Sequence, residues 1–272
     1  MKRSVRVECG FWLLFACFAF FILSPLYLMV KISLSPAAEV MTQHPPLLLR
    51  HITWEHWQDV LSSGTLWPPL RKSIVVATFT MLAAIGIAAP AAYVIARLRK
   101  EWKYLLVLAL FFTRMFPEVS IALPIAVTFI EWNLMDTHLG LVMAHLIKTL
   151  PFVAWILIGT FEGIPTVLEE SAMVDGCHRF GILWRIVFPL ALPGVAVASL
   201  FAWLESWNEF TYALYLSLLE NTLPLQTYYY IQRGSWFNSA SYATMLTIPV
   251  ILITFFLQRY LRAGYLTGAV KE

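Results

Sequence analysis

The stretch EGIPTVLEESAMVDGCHRFGILWRIVFP, Glu162 to Pro189, is the longest charged interruption between two apolar runs in this chain. The runs on either side, 139–161 and 190–217, are each long enough to cross a bilayer, since about 30 Å of hydrocarbon needs roughly 20 largely apolar residues. Similar runs near 11–32, 73–96, 104–130 and 241–261 bring the expected number of spans to six. Within lipid, backbone groups have no water to pair with, so a spanning segment must be a helix or part of a closed barrel. Runs this long and continuous predict helices, and the fold class is all-α integral membrane protein.

Composition agrees. Of 272 residues, 60% are hydrophobic and only 13% charged, about half the charged share of a soluble domain. Mean hydropathy is +0.71. The N-terminal run behind Lys2, Arg3 and Arg6 exceeds the 7–15 apolar residues of a secretory signal, which predicts an uncleaved first span. No internal repeat separates the spans, so one transmembrane domain over 1–272 is expected. Cys9, Cys17 and Cys177 fall in three different settings and suggest neither a disulfide framework nor a metal site.

The net charge of +3 matters less than its distribution. With the N-terminus inside, the inner segments hold Lys2, Arg3, Arg6, Arg97, Arg99, Lys100, Lys103, Arg179, Arg185, Arg259, Arg262 and Lys271, against Lys31, Arg50, Arg71, Lys72 and Arg233 outside. Twelve against five places both termini and the 162–189 loop in the cytoplasm. These charges orient the chain and give no reason to expect nucleic acid.

Within the loop, Pro165 suits a first helical turn, and Glu169 and Glu170 follow it. Gly176 after Asp175 suits a left-handed turn, so two short helices hinged there are predicted, the second carrying Ile182, Leu183, Ile186 and Val187 on one face at the membrane surface. The order Glu170-Ser171-Ala172, three residues, Gly176, nine residues, Ile186, one residue, Phe188-Pro189 resembles the E-A-A loop of bacterial ABC importer permeases. Ser171 stands where that family has Ala, and Phe188 where it has Leu. The tail, Gln258-Arg259-Tyr260, Gly264, then Thr267, Gly268, Ala269, Val270 and Lys271, is similar to that of the maltose-permease-like importers of carbohydrates and polyols, with a local departure at Tyr265-Leu266-Thr267.

The resemblance implies a coupling helix seated in a cleft of an ATPase subunit, with Glu170, Ser171, Ala172, Asp175, Gly176, Arg179, Ile186 and Pro189 at the joint and Gly264, Thr267, Gly268 and Lys271 as tail contacts. It also implies a second permease subunit, an ATPase dimer and a periplasmic binding protein, all at the bacterial inner membrane. The chain has no G-x-x-x-x-G-K-S/T phosphate loop, so ATP and magnesium are expected on the ATPase and no cofactor on this chain. By the same resemblance it is a transport subunit rather than an enzyme.

Charged groups inside a span cost about 2.5–3.5 kcal/mol on insertion scales and usually face protein or water. Arg114 and Glu118, four apart around Pro117, are expected to pair on one helical face. Lys148, a turn after His145, is expected to meet an acid of another span, Glu118, Glu205 or Glu209. In the fifth span Glu205, Asn208, Glu209 and Tyr212 recur at helical spacing with Trp203 and Trp207 beside them, a polar stripe suited to a path for hydroxylated solutes. Trp207-Asn208-Glu209 also resembles a Trp-Asn-Asp/Glu segment of relatives with different substrates, which implies a gate or interface instead. An ion-coupled secondary transporter using these charges is the alternative reading. Tyr228, Tyr229, Tyr230, Arg233, Trp236 and Phe237 lie in the last outer loop, where they either anchor the membrane interface or, as the resemblance implies, touch the binding protein.

Overall fold

The computed structural model describes the backbone of residues 5–233 and 236–268, with side chains described within 8–255. In chain order the helices are α1 (Val5–Leu34), α2 (Ala37–Val40), α3 (Glu55–Ser62), α4 (Trp67–Ala96), α5 (Lys100–Phe112), α6 (Glu118–Glu131), α7 (His138–Glu162), α8 (Val167–Val174), α9 (Arg179–Ile182), α10 (Phe188–Leu190), α11 (Leu192–Trp207), α12 (Thr211–Leu216), α13 (Leu223–Gln232) and α14 (Trp236–Gly268). Among the described residues, four helices are long and apolar enough to cross a membrane, and the number rises to six if α5 with α6 and the segment 179–190 with α11 each count as one bent span.

The first bend falls at Pro117, where a proline inside the third span is expected to kink it, but it is sharper than a kink, and the second departs from the expectation of a continuous fifth span. The first is 85°. Its cause is local: Phe116, immediately before Pro117, is extended at φ −76°, ψ 131°, because the proline ring crowds the helical conformation of its predecessor. The second bend, 83°, falls at Ala191, just before the helix that carries Pro193 in its first turn. The stretch 218–241, expected as a loop, is largely helical, occupied by α13 and the start of α14.

The described residues group into two compact units, 1–67 with 226–248 and 68–225 with 249–272. In the first unit the segment after α1 is fastened to that helix. Tyr27 donates to the Leu47 carbonyl (3.0 Å) and accepts from the Leu49 N–H (3.2 Å), while Lys31 donates to the Pro46 carbonyl.

In the second unit the core is built on small residues. Ala84, Ala88, Ala89, Ala92 and Ala96 of α4 are buried with Val153, Leu157 and Phe161 of α7 and with Ala198 and Ala202 of α11. Side chains this small let helix axes approach closely where lipid supplies no hydrophobic drive. Gly194 of α11 shows how close: a β-carbon there would strike the side chain of Thr160 on α7. Ala172, Ile182, Leu183 and Val187 from the 162–189 segment join this core, so the segment is packed onto the helices rather than lying as a solvated connector.

Candidate functional site

The 162–189 segment folds as a helix, a sharp turn and a second helical stretch. Helix α8 ends in a Schellman turn: the Gly176 N–H donates to Met173 O (3.1 Å) and the Cys177 N–H to Ala172 O (2.9 Å), with Gly176 at φ +84°. That conformation is open to glycine and strained for side-chain-bearing residues, which is why the hinge was legible. Glu170, Ser171, Asp175, Gly176, Arg179 and Pro189 are all exposed. Exposed Met173 and Val174 add an apolar element to the outward face of α8. Two expected docking positions belong elsewhere: Ala172 is buried in the core and Ile186 is half-buried against it. The apolar face of the second stretch is turned toward the protein. A π-helical turn at Leu183–Val187 carries Ile182, Leu183 and Val187 into the protein interior.

Beneath α8 lies a cluster that the sequence reading missed. Glu169 is 6% exposed, and its carboxylate accepts from Arg97 Nε (2.9 Å), Arg97 Nη2 (2.5 Å) and the Tyr93 hydroxyl (2.7 Å). Arg97 also donates to the carbonyls of Phe161 (2.9 Å) and Ile164 (3.2 Å), at and just beyond the end of α7. The last carbonyls of a helix lack intrahelical partners, and a guanidinium is well shaped to satisfy several at once. The hint in the sequence was Tyr93 and Arg97 four apart at the end of a span, but nothing local pointed to Glu169 rather than Glu170.

The polar groups of the spans form two separate assemblies. In the first, Lys148 Nζ lies 2.9 Å from Glu118 and 3.3 Å from Glu205, and Arg114 lies 3.1 Å from Glu205. Lys148 thus meets two of its three expected partners. The expected Arg114–Glu118 pair is replaced by Arg114–Glu205, because the helix breaks between residues 115 and 118 and the four-residue spacing no longer sets one face. The four side chains are 20–34% exposed and carry two positive and two negative charges, a balanced and partly exposed network.

The second assembly is closed. Glu209 and His145 are 2% and 1% exposed. His145 Nδ1 is 2.6 Å from Ser206 Oγ, which joins α7 to α11. Its Nε2 lies 3.2 Å from Glu209 Oε2, at ion-pair distance but without hydrogen-bond alignment. Glu209 accepts the N–H groups of Tyr212 (2.8 Å) and Ala213 (3.1 Å), capping α12. The stripe expected along the fifth span is therefore interrupted. Helix α11 stops at Trp207, Asn208 follows as its exposed C-cap, and Glu209 turns inward. Tyr212 and Trp207 are also buried, and Trp203 and Trp207 stack on each other at 4.9 Å, so neither indole offers an open face. Of the expected path residues, Arg114, Glu118, Lys148, Glu205 and Asn208 retain exposure.

In the other unit, Tyr230 and Phe237 are held internally. Tyr230 stacks on Tyr242 at 4.6 Å and shares Thr65 with it through hydroxyl contacts of 2.9 and 2.8 Å, while Phe237 stacks on His56 at 4.6 Å. Tyr229 is half-buried, and Tyr228, Arg233 and Trp236 are exposed. Of the tail positions, Gly264, Thr267 and Gly268 have side chains outside the described residues, and Lys271 lies outside them altogether. Among the described residues, no group of three or more His, Cys, Asp or Glu side chains is placed to hold a metal.

Comparison with known proteins gives a consistent picture. The family described as binding-protein-dependent transport system inner membrane component matches residues 84–266. The inner membrane ABC transporter permease protein YcjP of Escherichia coli (strain K12) is 28% identical over 99% of this chain and 98% of its own length. The trehalose/maltose transport system permease protein MalG of Thermococcus litoralis is 28% identical over 83% of this chain and 84% of its own. Among solved structures, a chain of a bacterial ABC transporter involved in the import of the acidic polysaccharide alginate superposes with a TM-score of 0.78 at 23% identity, covering 96% of this chain and 98% of that one.

Proposed function

Because this chain belongs to the binding-protein-dependent transport system inner membrane component family, and is a multi-pass permease subunit of an ABC importer, we propose that it carries a carbohydrate or polyol by alternating access. The observation that carries this reading is the helix–glycine–helix element at 162–189. It presents Glu170, Ser171, Met173 and Val174 outward while its other face is built into the core. In this reading the outward face of α8 is the coupling helix seated on an ATPase subunit, with Asp175, Gly176 and Arg179 at its end. Both termini are cytoplasmic, and Gly264, Thr267, Gly268 and Lys271 serve as contacts for the same ATPase. ATP and magnesium belong to that partner. Closure of the ATPase pair moves α8 and switches the path between its two openings, which requires that ATP binding favour one of them.

The remaining partners follow from the same reading. A second permease subunit completes the path, and a periplasmic binding protein delivers the solute to the surface bearing Tyr228, Arg233 and Trp236. The substrate class rests on the named substrates of sugar-importing relatives such as the trehalose/maltose permease. It fits the chemistry of the half-exposed network, where Glu118 and Glu205 can accept from solute hydroxyls and the balanced charge selects for neither cations nor anions.

The test is gentle purification of the chain from its own membrane with mass spectrometry of what accompanies it. An ATPase subunit is expected with the wild type and strongly reduced with Glu170→Lys or Gly176→Asp, while the amount of inserted chain is unchanged. Equal ATPase recovery from all three chains would remove the docking role from this element.

A further inference from the structure

Outside the exposed docking face, the structure contains one polar assembly that ties three elements together at one end of the second unit. Arg97, just past α4, reaches two carbonyls at the end of α7 and the Glu169 carboxylate in the first turn of α8. Tyr93, one turn earlier on α4, holds the other oxygen of the same carboxylate and meets Phe161 edge-on at 6.1 Å. Glu169 and Glu170 are sequence neighbours with opposite assignments: Glu170 points out and Glu169 is buried. Any displacement of α8 must therefore carry Arg97 with it or break at least two charge-assisted hydrogen bonds to a carboxylate that is itself buried.

We propose that Arg97 is a positioning residue for coupling: through its fork to Glu169, Phe161 and Ile164 it makes α8, the end of α7 and the end of α4 move as one body when the ATPase acts. This rests on the docking role given above to the outward face of α8. A lysine could answer the charge of Glu169 but, as a single compact ammonium, could not span the carboxylate and both carbonyls in one plane. The roles of the two glutamates differ accordingly. Loss of Glu170 weakens attachment of the ATPase, whereas loss of Glu169 or Arg97 leaves the ATPase attached and disconnects it from the helices.

The test uses the assembled transporter in lipid nanodiscs, with Cys9, Cys17 and Cys177 replaced by serine and Asn208→Cys as an exposed reporter. The readout is the rate of labelling by a maleimide, with and without ATP and vanadate, alongside recovery of the ATPase and its hydrolysis rate. With Arg97 intact, the ATP-dependent change in labelling is present. In Arg97→Ala and Glu169→Gln, ATPase recovery and hydrolysis are expected to persist while that change shrinks about tenfold, the scale of a typical coupling free energy. Arg97→Lys is expected not to restore it, and Tyr93→Phe, which removes a single hydrogen bond, to give an intermediate loss. An unaltered ATP response in Arg97→Lys or Glu169→Gln overturns the proposal, even if Arg97→Ala fails to assemble. A parent transporter without any ATP-dependent change would instead overturn the docking reading, and this inference with it.

Discussion

Replacing Glu209 by alanine should destabilise the chain more than any substitution among the half-exposed charges. Its carboxylate is the acceptor for two buried backbone N–H groups, those of Tyr212 and Ala213, and it stands at ion-pair distance from His145. Truncation leaves both donors unpaired in a site where water does not reach, at about 1–3 kcal/mol each, and removes the cap of α12. The sum is about 3–5 kcal/mol, in line with breaking a buried charged pair. At about 2–4 °C per kcal/mol, thermal unfolding should move down by roughly 10 °C. Glu209→Gln keeps one oxygen for one N–H and sets an amide donor against the other, so roughly half of that loss is expected. The assay is thermal unfolding of the detergent-purified chain by tryptophan fluorescence. An alanine variant melting within about 2 °C of the parent would show that these bonds do not hold the segment, and the closed assembly would lose its structural assignment.

Two further outcomes separate packing from charge. Gly194→Ala should cost about 1–3 kcal/mol by overpacking against Thr160, and Thr160→Gly in the same chain should relieve the clash, read as non-additive unfolding temperatures. Lys148→Met should leave Arg114 as the cation remaining in the network with Glu118 and Glu205 and cost about 1–3 kcal/mol, below the fully buried value because these groups are partly exposed. Adding Glu118→Gln should recover part of that loss. Strictly additive effects in the double variant would mean that the four charges do not act as a network.

The apolar run at 139–161 coincides with α7 at 138–162, while the runs at 11–32, 73–96 and 241–261 lie inside helices that extend several residues beyond them, because apolar composition marks the part of a helix suited to lipid and not its ends. The hinge at Gly176 was legible because a left-handed residue has a sequence signature. Where the reading failed, helical period had been extended through a break. Pro117 marked a kink, but the i, i+4 pairing of Arg114 with Glu118 was still carried across it, and a break of 85° puts the two on separate helices with other partners. At Trp207-Asn208-Glu209 the break depends on Glu209 finding the N–H groups of the next helix, a choice made by burial that spacing cannot show. Arg97 and Glu169 are joined only by the packing of α4 against the 162–189 segment, and no local pattern distinguishes Glu169 from Glu170.

The division between the two polar assemblies bears on where the permease can change shape. His145, Ser206 and Glu209 are closed on one another and fasten α7, α11 and α12. Opening that knot would expose unpaired donors at several kcal/mol, too much for a routine step of a transport cycle. The Arg114, Glu118, Lys148 and Glu205 side chains are partly exposed, and Lys148 already divides itself between two carboxylates, so exchanging partners there costs less than opening the closed assembly. They also straddle the bend at Phe116–Pro117, where extended backbone can absorb rotation without breaking a helical ladder. The 162–189 segment cannot flex internally in the same way. Ile182, Leu183 and Val187 are buried in the core at about 1.5–3 kcal/mol each, and Glu169 is held by Arg97 and Tyr93. If α8 takes the push of an ATPase as proposed above, that push passes into α4 and α7 as rigid elements, and the compliance that converts it into a change of opening belongs at the bend and its exchangeable charges.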